Sequence, residues 1–428
     1  MLKVTTAAVQ QVRPAGLGRL RYQLLVGLLL AVAMPVALRA GSGLSEFVFS
    51  PSGRNTLLAC IASLVGGILV FRRLVILPGV LGYAYTLPSF GFSYLGVTAV
   101  LLLFKADYVR SVFIASLVVS IGLFFFVSYR ESRRSKPVFA IVPDGDVDDL
   151  TDIETANWTF LTDPTQLPQA VAAIVADFRA NLSSDWVRLL ADATLAGIPV
   201  FHVKQMREVL TGRVELEHLS ENSFGSLIPN NAYMKVKRLI DFTTALIALP
   251  IVALVLVICG VLIKLDSPGP VLFRQQRTGY RGKPFIVIKL RTMAVQPADK
   301  GDLEAAMTQV DDARITRLGG WLRRTRIDEL PQVLNVLRGE MSWIGPRPEA
   351  VPLSSWYEQQ LPFYSYRHAV PPGISGWAQV NQGHVTGLSD VHRKLGYDFY
   401  YIKYFSLSLD VLIFLRTIIT VATGFGSK

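Results

Sequence analysis

Long apolar runs crowd the first 130 residues, and their spacing predicts four membrane-spanning helices. The runs cover residues 24–38, 57–71, 74–104 and 112–129, and a crossing needs about 20 apolar residues. The third run is long and carries Pro78 and Pro88, so one kinked helix and two short segments both fit it. Basic residues decide the number. Arg13, Arg19 and Arg21 precede the first run, Arg72 and Arg73 follow the second, and Arg130, Arg133, Arg134 and Lys136 follow the last. With basic loops placed in the cytoplasm, four crossings put all three clusters on one side and five do not. The first apolar run begins late and no small-residue cleavage site follows it, so it reads as an anchor rather than a leader.

After Pro137 the pattern changes to short buried runs alternating with amphipathic ones. Residues 138–142 and 200–203 read as strands, and residues 167–178 and 186–196 as helices. Alternation of this kind predicts a small α/β layer on a parallel sheet. Its first strand leads into Pro143-Asp144-Gly145-Asp146, which lacks the glycines that let a backbone approach a pyrophosphate. The layer is thus a degenerate Rossmann-like domain. Scaffolding or an oligomer contact, a homodimer among the options, suits it better than ligand binding. Residues 215–231 read as a polar linker. The chain divides into a four-helix membrane region at 1–136, this α/β domain at 137–231, and an α+β domain at 232–428.

A further apolar run, residues 239–265, is long enough to cross a bilayer. Lys235, Lys237 and Arg238 precede it, and Lys264, Arg274, Arg277, Arg281 and Lys283 follow it. Positive charge at both ends favours keeping both ends in the cytoplasm. Pro250 near the middle removes a helical hydrogen bond. The expected form is a re-entrant helix that dips into one leaflet and returns. Residues 407–423 are also apolar, but Arg416 near their centre makes a helix lying at the interface the better reading.

Composition sharpens the picture. Hydrophobic residues make up 51% of the 428 and charged residues only 18%, which excludes a disordered chain and fits one that faces lipid. The formal net charge is +11. In a lipid-rich chain that excess points to anionic headgroups and phosphorylated substrates rather than nucleic acid. Cys60 and Cys259 both lie in apolar runs and build neither a disulfide framework nor a thiolate zinc site. The five histidines show no metal-ligand spacing.

The chemistry concentrates after Asp266. Residues 271–273 and 285–290 read as strands, with Lys289 and Arg291 at the end of the second. Arg314, Arg323, Arg324 and Arg326 then gather ahead of Asp328 and Glu329. Pro331 suits a first helical turn and Gly339 a helix end, so the two carboxylates fall at the amino end of a short helix. One reading is an ordinary acidic cap with salt bridges to its neighbours. The other is phosphoryl chemistry, with one carboxylate on a divalent metal and the other attacking phosphorus, shielded by the arginines. The residues alone leave both open.

From Lys237 onward the chain resembles the bacterial polyprenyl-phosphate sugar-1-phosphate transferases, the monotopic phosphoglycosyl transferases. The resemblance rests on Lys237-Arg238-Leu-Ile-Asp241, Leu249-Pro250, Asp266-Ser-Pro-Gly-Pro270, Gln276-Arg277-Thr-Gly279 and Lys289-Leu-Arg291-Thr-Met293. It continues through Asp328-Glu329-Leu-Pro-Gln332, Gly345-Pro-Arg347-Pro348 and Pro372-Gly373-Ile-Ser-Gly376, all in the family order. It implies that Asp328 attacks the β-phosphate of a UDP-sugar, giving a phosphosugar–enzyme intermediate and UMP, after which undecaprenyl phosphate takes the sugar phosphate. It implies Mg²⁺ with Glu329 as ligand. Lys289, Arg291, Arg314, Arg323, Arg324, Arg326 and Arg347 become the expected phosphate and nucleotide contacts, and Lys237, Arg238 and Pro250 the expected polyprenyl and membrane contacts. The implied donor is a UDP-hexose, glucose or galactose, and the implied place is the cytoplasmic face of the bacterial inner membrane. The four N-terminal helices resemble the longer members, which begin exopolysaccharide or O-antigen repeats.

Two rivals remain from the sequence. A non-catalytic lipid-phosphate-binding subunit of an export system would carry more polar groups within its spans. A conventional glycosyltransferase would release UDP instead of UMP.

Overall fold

The computed structural model describes residues 19–75, 82–132, 136–168, 171–215, 228–294, 314–361, 363–383 and 387–423. The chain forms two compact units, Met1–Gly212 and Arg213–Lys428. The expected linker at 215–231 and the stretch at 76–81 lie largely outside the described residues.

The first unit opens with a helical run α1 (Leu20–Phe49), then α2 (Pro51–Val75), α3 (Thr86–Leu103) and α4 (Arg110–Ser132). By length and composition each can cross a membrane. Within α1 the backbone loosens to a π-helical stretch, Leu28–Ala33, just ahead of Pro35. A proline lacks the N–H that the tighter ladder would use there. The helices meet around Ala31, Leu64, Ile68, Phe90 and Phe124. Tyr94 is buried among them, and its hydroxyl lies 2.7 Å from Ser116 Oγ and 3.1 Å from Ser120 Oγ. Leu69, Leu95, Leu102, Ile114 and Val118 stay exposed, an apolar surface that suits lipid.

The α/β portion holds β1 (Val138–Ile141), β2 (Asn157–Phe160), β3 (Ala173–Ala176) and β4 (Val200–His202), all parallel, in the order β2-β1-β3-β4. The helices α5 (Ser184–Leu195) and α6 (Val203–Thr211) flank the last two strands. The helix expected over residues 167–178 is replaced by β3. Ala173 and Val175 pack into one core while Ile174 and Ala176 pack into the other. That alternation is the signature of a strand buried on both faces, whose continuous apolar run also reads as a helix.

The second unit begins with α7 (Asn231–Asp266), an unbroken helix of 36 residues through Pro250. Pro250 therefore does not end the helix as a break. Asn230 caps its start by accepting hydrogen bonds from the amides of Ala232 and Tyr233. Its buried positions, Lys237, Asp241, Ala245, Val252, Cys259 and Ile263, recur at helical spacing. Leu239, Ile247, Ile251, Leu254, Val257 and Leu265 are exposed. One face thus packs on protein and the other is bare hydrocarbon.

The buried face of α7 rests on an antiparallel hairpin, β5 (Leu272–Thr278) and β6 (Pro284–Leu290). There follow α8 (Arg317–Arg324), a 3₁₀ turn over Ile327–Gln332 and α9 (Val333–Arg338). Then come β7 (Ser342–Ile344), α10 (Val351–Gln360), a 3₁₀ turn over Tyr364–Ala369 and β8 (Gly373–Ser375). The chain closes with α11 (Trp377–Asn381), α12 (Leu388–Lys403) and α13 (Leu407–Thr423). Leu409, Leu412 and Ile413 of α13 are fully buried, whereas Phe414 and Ile418 face outward. Arg416 lies 4.7 Å over the Trp377 ring and hydrogen-bonds Asn381. Among the aromatic residues of this unit, Tyr357, Tyr364 and Trp377 are core, and Phe363 and Tyr366 remain exposed.

Candidate active site

Two neighbouring carboxylates lie in the 3₁₀ turn between α8 and α9. Arg326 enters that turn in the left-handed region at φ 59°, ψ 14°, a conformation that costs a non-glycine residue about 1 kcal/mol or more. Asp328 and Glu329 follow it and are only 8% and 4% exposed. Behind them α9 is locked to β6 by Asn335, which is fully buried. Its amide donates to Ile286 O at 2.7 Å and to Glu340 Oε2 at 2.7 Å, and its oxygen accepts from Ile288 N–H at 3.3 Å. This fixes the carboxylates against the strand that carries Lys289.

Three cations converge on Glu329. Lys289 Nζ lies 2.9 Å and Arg347 Nη2 2.8 Å from its Oε1, and Arg326 Nη1 lies 3.7 Å from its Oε2. Burial alone would raise the Glu329 carboxyl, but Arg347, Lys289 and Arg326 outweigh it and hold it well below the usual carboxylate range. Asp328 is treated differently. Among the described residues no donor is within hydrogen-bonding distance of its carboxylate, and burial together with the Glu329 charge pushes it up to about 6. Burial also lowers Lys289, to about 8, despite Glu329. One side chain is pinned as an anion while its neighbour titrates well above it, and differing environments of this kind can separate the roles of paired carboxylates.

Arg347 reaches Glu329 from a loop that two close backbone approaches define. A Cβ on Gly345 would stand 2.3 Å from Pro371 O, and one on Gly373 would stand 2.1 Å from Gly345 N. Only glycine fits either position, so Gly345-Pro-Arg-Pro348 and Pro372-Gly373 interlock beside the parallel β7–β8 pair.

The other expected residues divide. Arg323 bears on Asp328 electrostatically, and its buried Nη1 has no partner among the described residues. Arg324 is exposed, and Arg314 is half-buried with its carbonyl accepting from Ala294 N–H at 2.9 Å. Arg291 turns to the end of α7, donating to Pro268 O at 2.7 Å and Ser267 O at 2.6 Å. At the other end of α7, Arg238 donates to Val336 O and Leu337 O, and buried Lys237 pairs with Asp410 at 2.6 Å. Pro250 is exposed. Gln332 was not expected. It is 3% exposed and its Nε2 has no partner among the described residues, so its signal in the sequence was only its place one turn after the acidic pair. Arg367, Asp398, Glu349 and Lys394 were missed as well.

Among the described residues no group of three or more His, Cys, Asp or Glu side chains forms a metal cage. The donor chemistry still fits Mg²⁺, which one or two carboxylates and substrate phosphates commonly hold. Lys289 and Arg347 occupy Glu329 Oε1, which leaves its second oxygen and Asp328 as the available donors.

Residues 232–424 match the family described as bacterial sugar transferase. Over 405 residues the chain is 42% identical to the UDP-N-acetylgalactosamine-undecaprenyl-phosphate N-acetylgalactosaminephosphotransferase of Aeromonas hydrophila, covering 94% of this chain and 95% of that one. The chain belongs to this family. A second relative, the UDP-glucose:undecaprenyl-phosphate glucose-1-phosphate transferase of Escherichia coli K12, is 42% identical over 195 residues, 45% of this chain and 41% of its own. An exopolysaccharide production protein of Rhizobium leguminosarum is 41% identical over 193 residues, only 44% of this chain but 96% of its own. As a member of the polyprenyl-phosphate sugar-1-phosphate transferases, this protein is a transferase.

Proposed function

We propose that this transferase moves a sugar 1-phosphate from a UDP-sugar to undecaprenyl phosphate in two displacements. An Asp328 carboxylate oxygen attacks the β-phosphorus, and the bond from that phosphorus to the bridging oxygen breaks. UMP leaves with the electron pair. A phosphate oxygen of undecaprenyl phosphate then attacks the same phosphorus and expels the Asp328 carboxylate, giving the lipid diphosphate sugar. The observation that carries this reading is the unequal pair: Glu329 is held by Lys289, Arg347 and Arg326 while buried Asp328 meets no donor among the described residues. A pinned anion flanked by cations suits binding of the diphosphate, and a poorly solvated carboxylate suits attack. Arg323, whose buried Nη1 has no partner among the described residues, serves the charge on the transferred phosphate. Glu329 would hold Mg²⁺ together with the substrate phosphates, and the ion would supply neutralisation of the diphosphate charge.

The full-length relative makes UDP-N-acetylgalactosamine the first donor to test, with UDP-glucose second. The dipping arrangement rests on the basic residues at both ends of α7, a helix that runs unbroken through Pro250 and is by length and composition also able to cross. Protein contacts run from Lys237 at one end to Ile263 at the other, all on the same catalytic unit, and a straight crossing would draw that unit's polar surface into lipid. Four N-terminal crossings then leave the catalytic unit on the cytoplasmic face of the inner membrane, where the product begins a polysaccharide repeat. The test is product analysis with donors labelled in the uridine. Release of UMP supports phosphosugar transfer, and release of UDP refutes it.

A further inference from the structure

The loop that carries Arg347 is gripped from behind by ions that take no part in the proposed chemistry. Arg367, in the 3₁₀ turn after α10, is 2% exposed. Its Nη2 donates to the carbonyl oxygen of Arg347 at 2.8 Å and to Asp398 Oδ2 at 2.8 Å. Its Nε donates to the same carboxylate oxygen at 3.1 Å, and its Nη1 to the Tyr364 hydroxyl at 2.9 Å. Asp398, on α12, is 1% exposed. One turn earlier on the same helix face, Lys394 pairs with Glu349, two residues past Arg347. The Lys394–Asp398 face thus holds both Arg347's own backbone and the segment after it.

Buried ion pairs of this kind are weak devices for stability, because hydrophobic residues of like volume often serve as well. They are effective at fixing geometry, since a guanidinium presents its donors in a rigid plane. The geometry fixed here is that of Arg347, whose side chain reaches Glu329 Oε1 at 2.8 Å.

We infer that Arg367 and Asp398 are positioning residues for sugar-phosphate transfer, acting by fixing the Arg347 backbone so that its guanidinium stays on Glu329. The inference rests on the proposed reading of the Asp328–Glu329 pair. Neither residue touches substrate in this scheme. Lysine at 367 keeps the charge opposite Asp398 but cannot bridge that carboxylate and the Arg347 carbonyl with one planar group.

The test is a double-mutant cycle on the full-length protein in detergent, reading transfer of label from UDP-N-acetylgalactosamine or UDP-glucose to undecaprenyl phosphate. Arg367→Lys should lower kcat/KM by about tenfold or more, the scale of a small misplacement. In an Arg347→Lys background it should add less than about twofold, the scatter expected of independent sites. A full further tenfold loss in that background means that Arg367 acts elsewhere, and overturns the inference. Thermal unfolding of each variant accompanies the kinetics. If Arg367→Lys fails to fold, Asp398→Glu, which keeps the charge and displaces the carboxylate, takes its place in the same cycle. Arg347→Lys with wild-type activity would remove the reading of the carboxylate pair and this inference with it. Loss in Arg347→Lys with full activity in Arg367→Lys would remove this inference alone.

Discussion

Arg347 Nη2 and Glu329 Oε1 stand 2.8 Å apart, and this contact separates two adjacent carboxylates into an anchored one and a free one. Lys289 reaches the same oxygen at 2.9 Å, so Glu329 is held from β6 and from the Gly345–Pro348 loop at once. Asp328, next in the chain, is left without a donor among the described residues and rises to about 6. Several consequences can be measured.

Asp328→Asn should abolish transfer, by at least about a thousandfold, as loss of a covalent nucleophile does. It should also raise the thermal midpoint by a few degrees. An aspartate titrates near 3.9 when unfolded and here near 6. Its stabilising contribution is complete below about pH 4 and lost as pH rises through 6, so at pH 7 the buried anion is a cost that asparagine lacks. Differential scanning fluorimetry at pH 7 and an activity assay check both halves. A destabilised Asn variant would contradict the burial argument.

The pH dependence of kcat/KM should be bell-shaped. Activity should rise as Asp328 ionises near 6 and fall as Lys289 loses its proton near 8. Lys289→Arg, which keeps its charge, should extend the alkaline limb upward while leaving the acid limb in place. An alkaline limb unmoved in that variant would take Lys289 out of the profile.

Cysteines introduced at Tyr233 and Tyr280 should react with a membrane-impermeant reagent from the same side of the membrane. Pro250→Leu should favour a straight crossing and move one of the two labels to the opposite side. Opposite-side labelling in the unsubstituted protein would contradict the dip.

Residues 1–130 should be dispensable for chemistry. Every residue placed at the site follows Lys237, the second unit packs its own core, and one relative matches less than half of this chain along nearly its whole length. A chain beginning at Glu221 should bind membranes through α7 and release UMP. A folded, membrane-bound and inactive product would refute this.

Much of this was legible from the sequence. The helices α5 and α13 follow from local periodicity, and so do strands at 271–273 and 285–290, although β5 runs on to Thr278. The strand β3 was not legible, since Ala173-Ile-Val-Ala176 is apolar at every position and carries no phase until both sheet faces are known. The acidic pair and its cations were visible as charge, but their division of labour was not. Charge shows in a sequence; its partner does not. Lys237 and Arg291 read as lipid and phosphate contacts, yet Lys237 meets Asp410, 173 residues away, and Arg291 meets the carbonyls that end α7. The Arg367–Asp398 pair spans 31 residues and Lys394–Glu349 spans 45, distances at which no local pattern operates.

In the proposed reaction Asp328 carries the sugar phosphate between donor and lipid. Incubating the purified protein with UDP-N-acetylgalactosamine or UDP-glucose and Mg²⁺ in the absence of lipid acceptor, then quenching in acid, isolates that state for intact-protein mass spectrometry. The expected result is a mass increase of one sugar phosphate, mapped to the peptide holding Asp328, absent in Asp328→Asn and discharged by adding undecaprenyl phosphate. Wild-type enzyme that turns over with acceptor present, yet shows no adduct at Asp328 under single-turnover quench without it, would rule out Asp328 as the carrier.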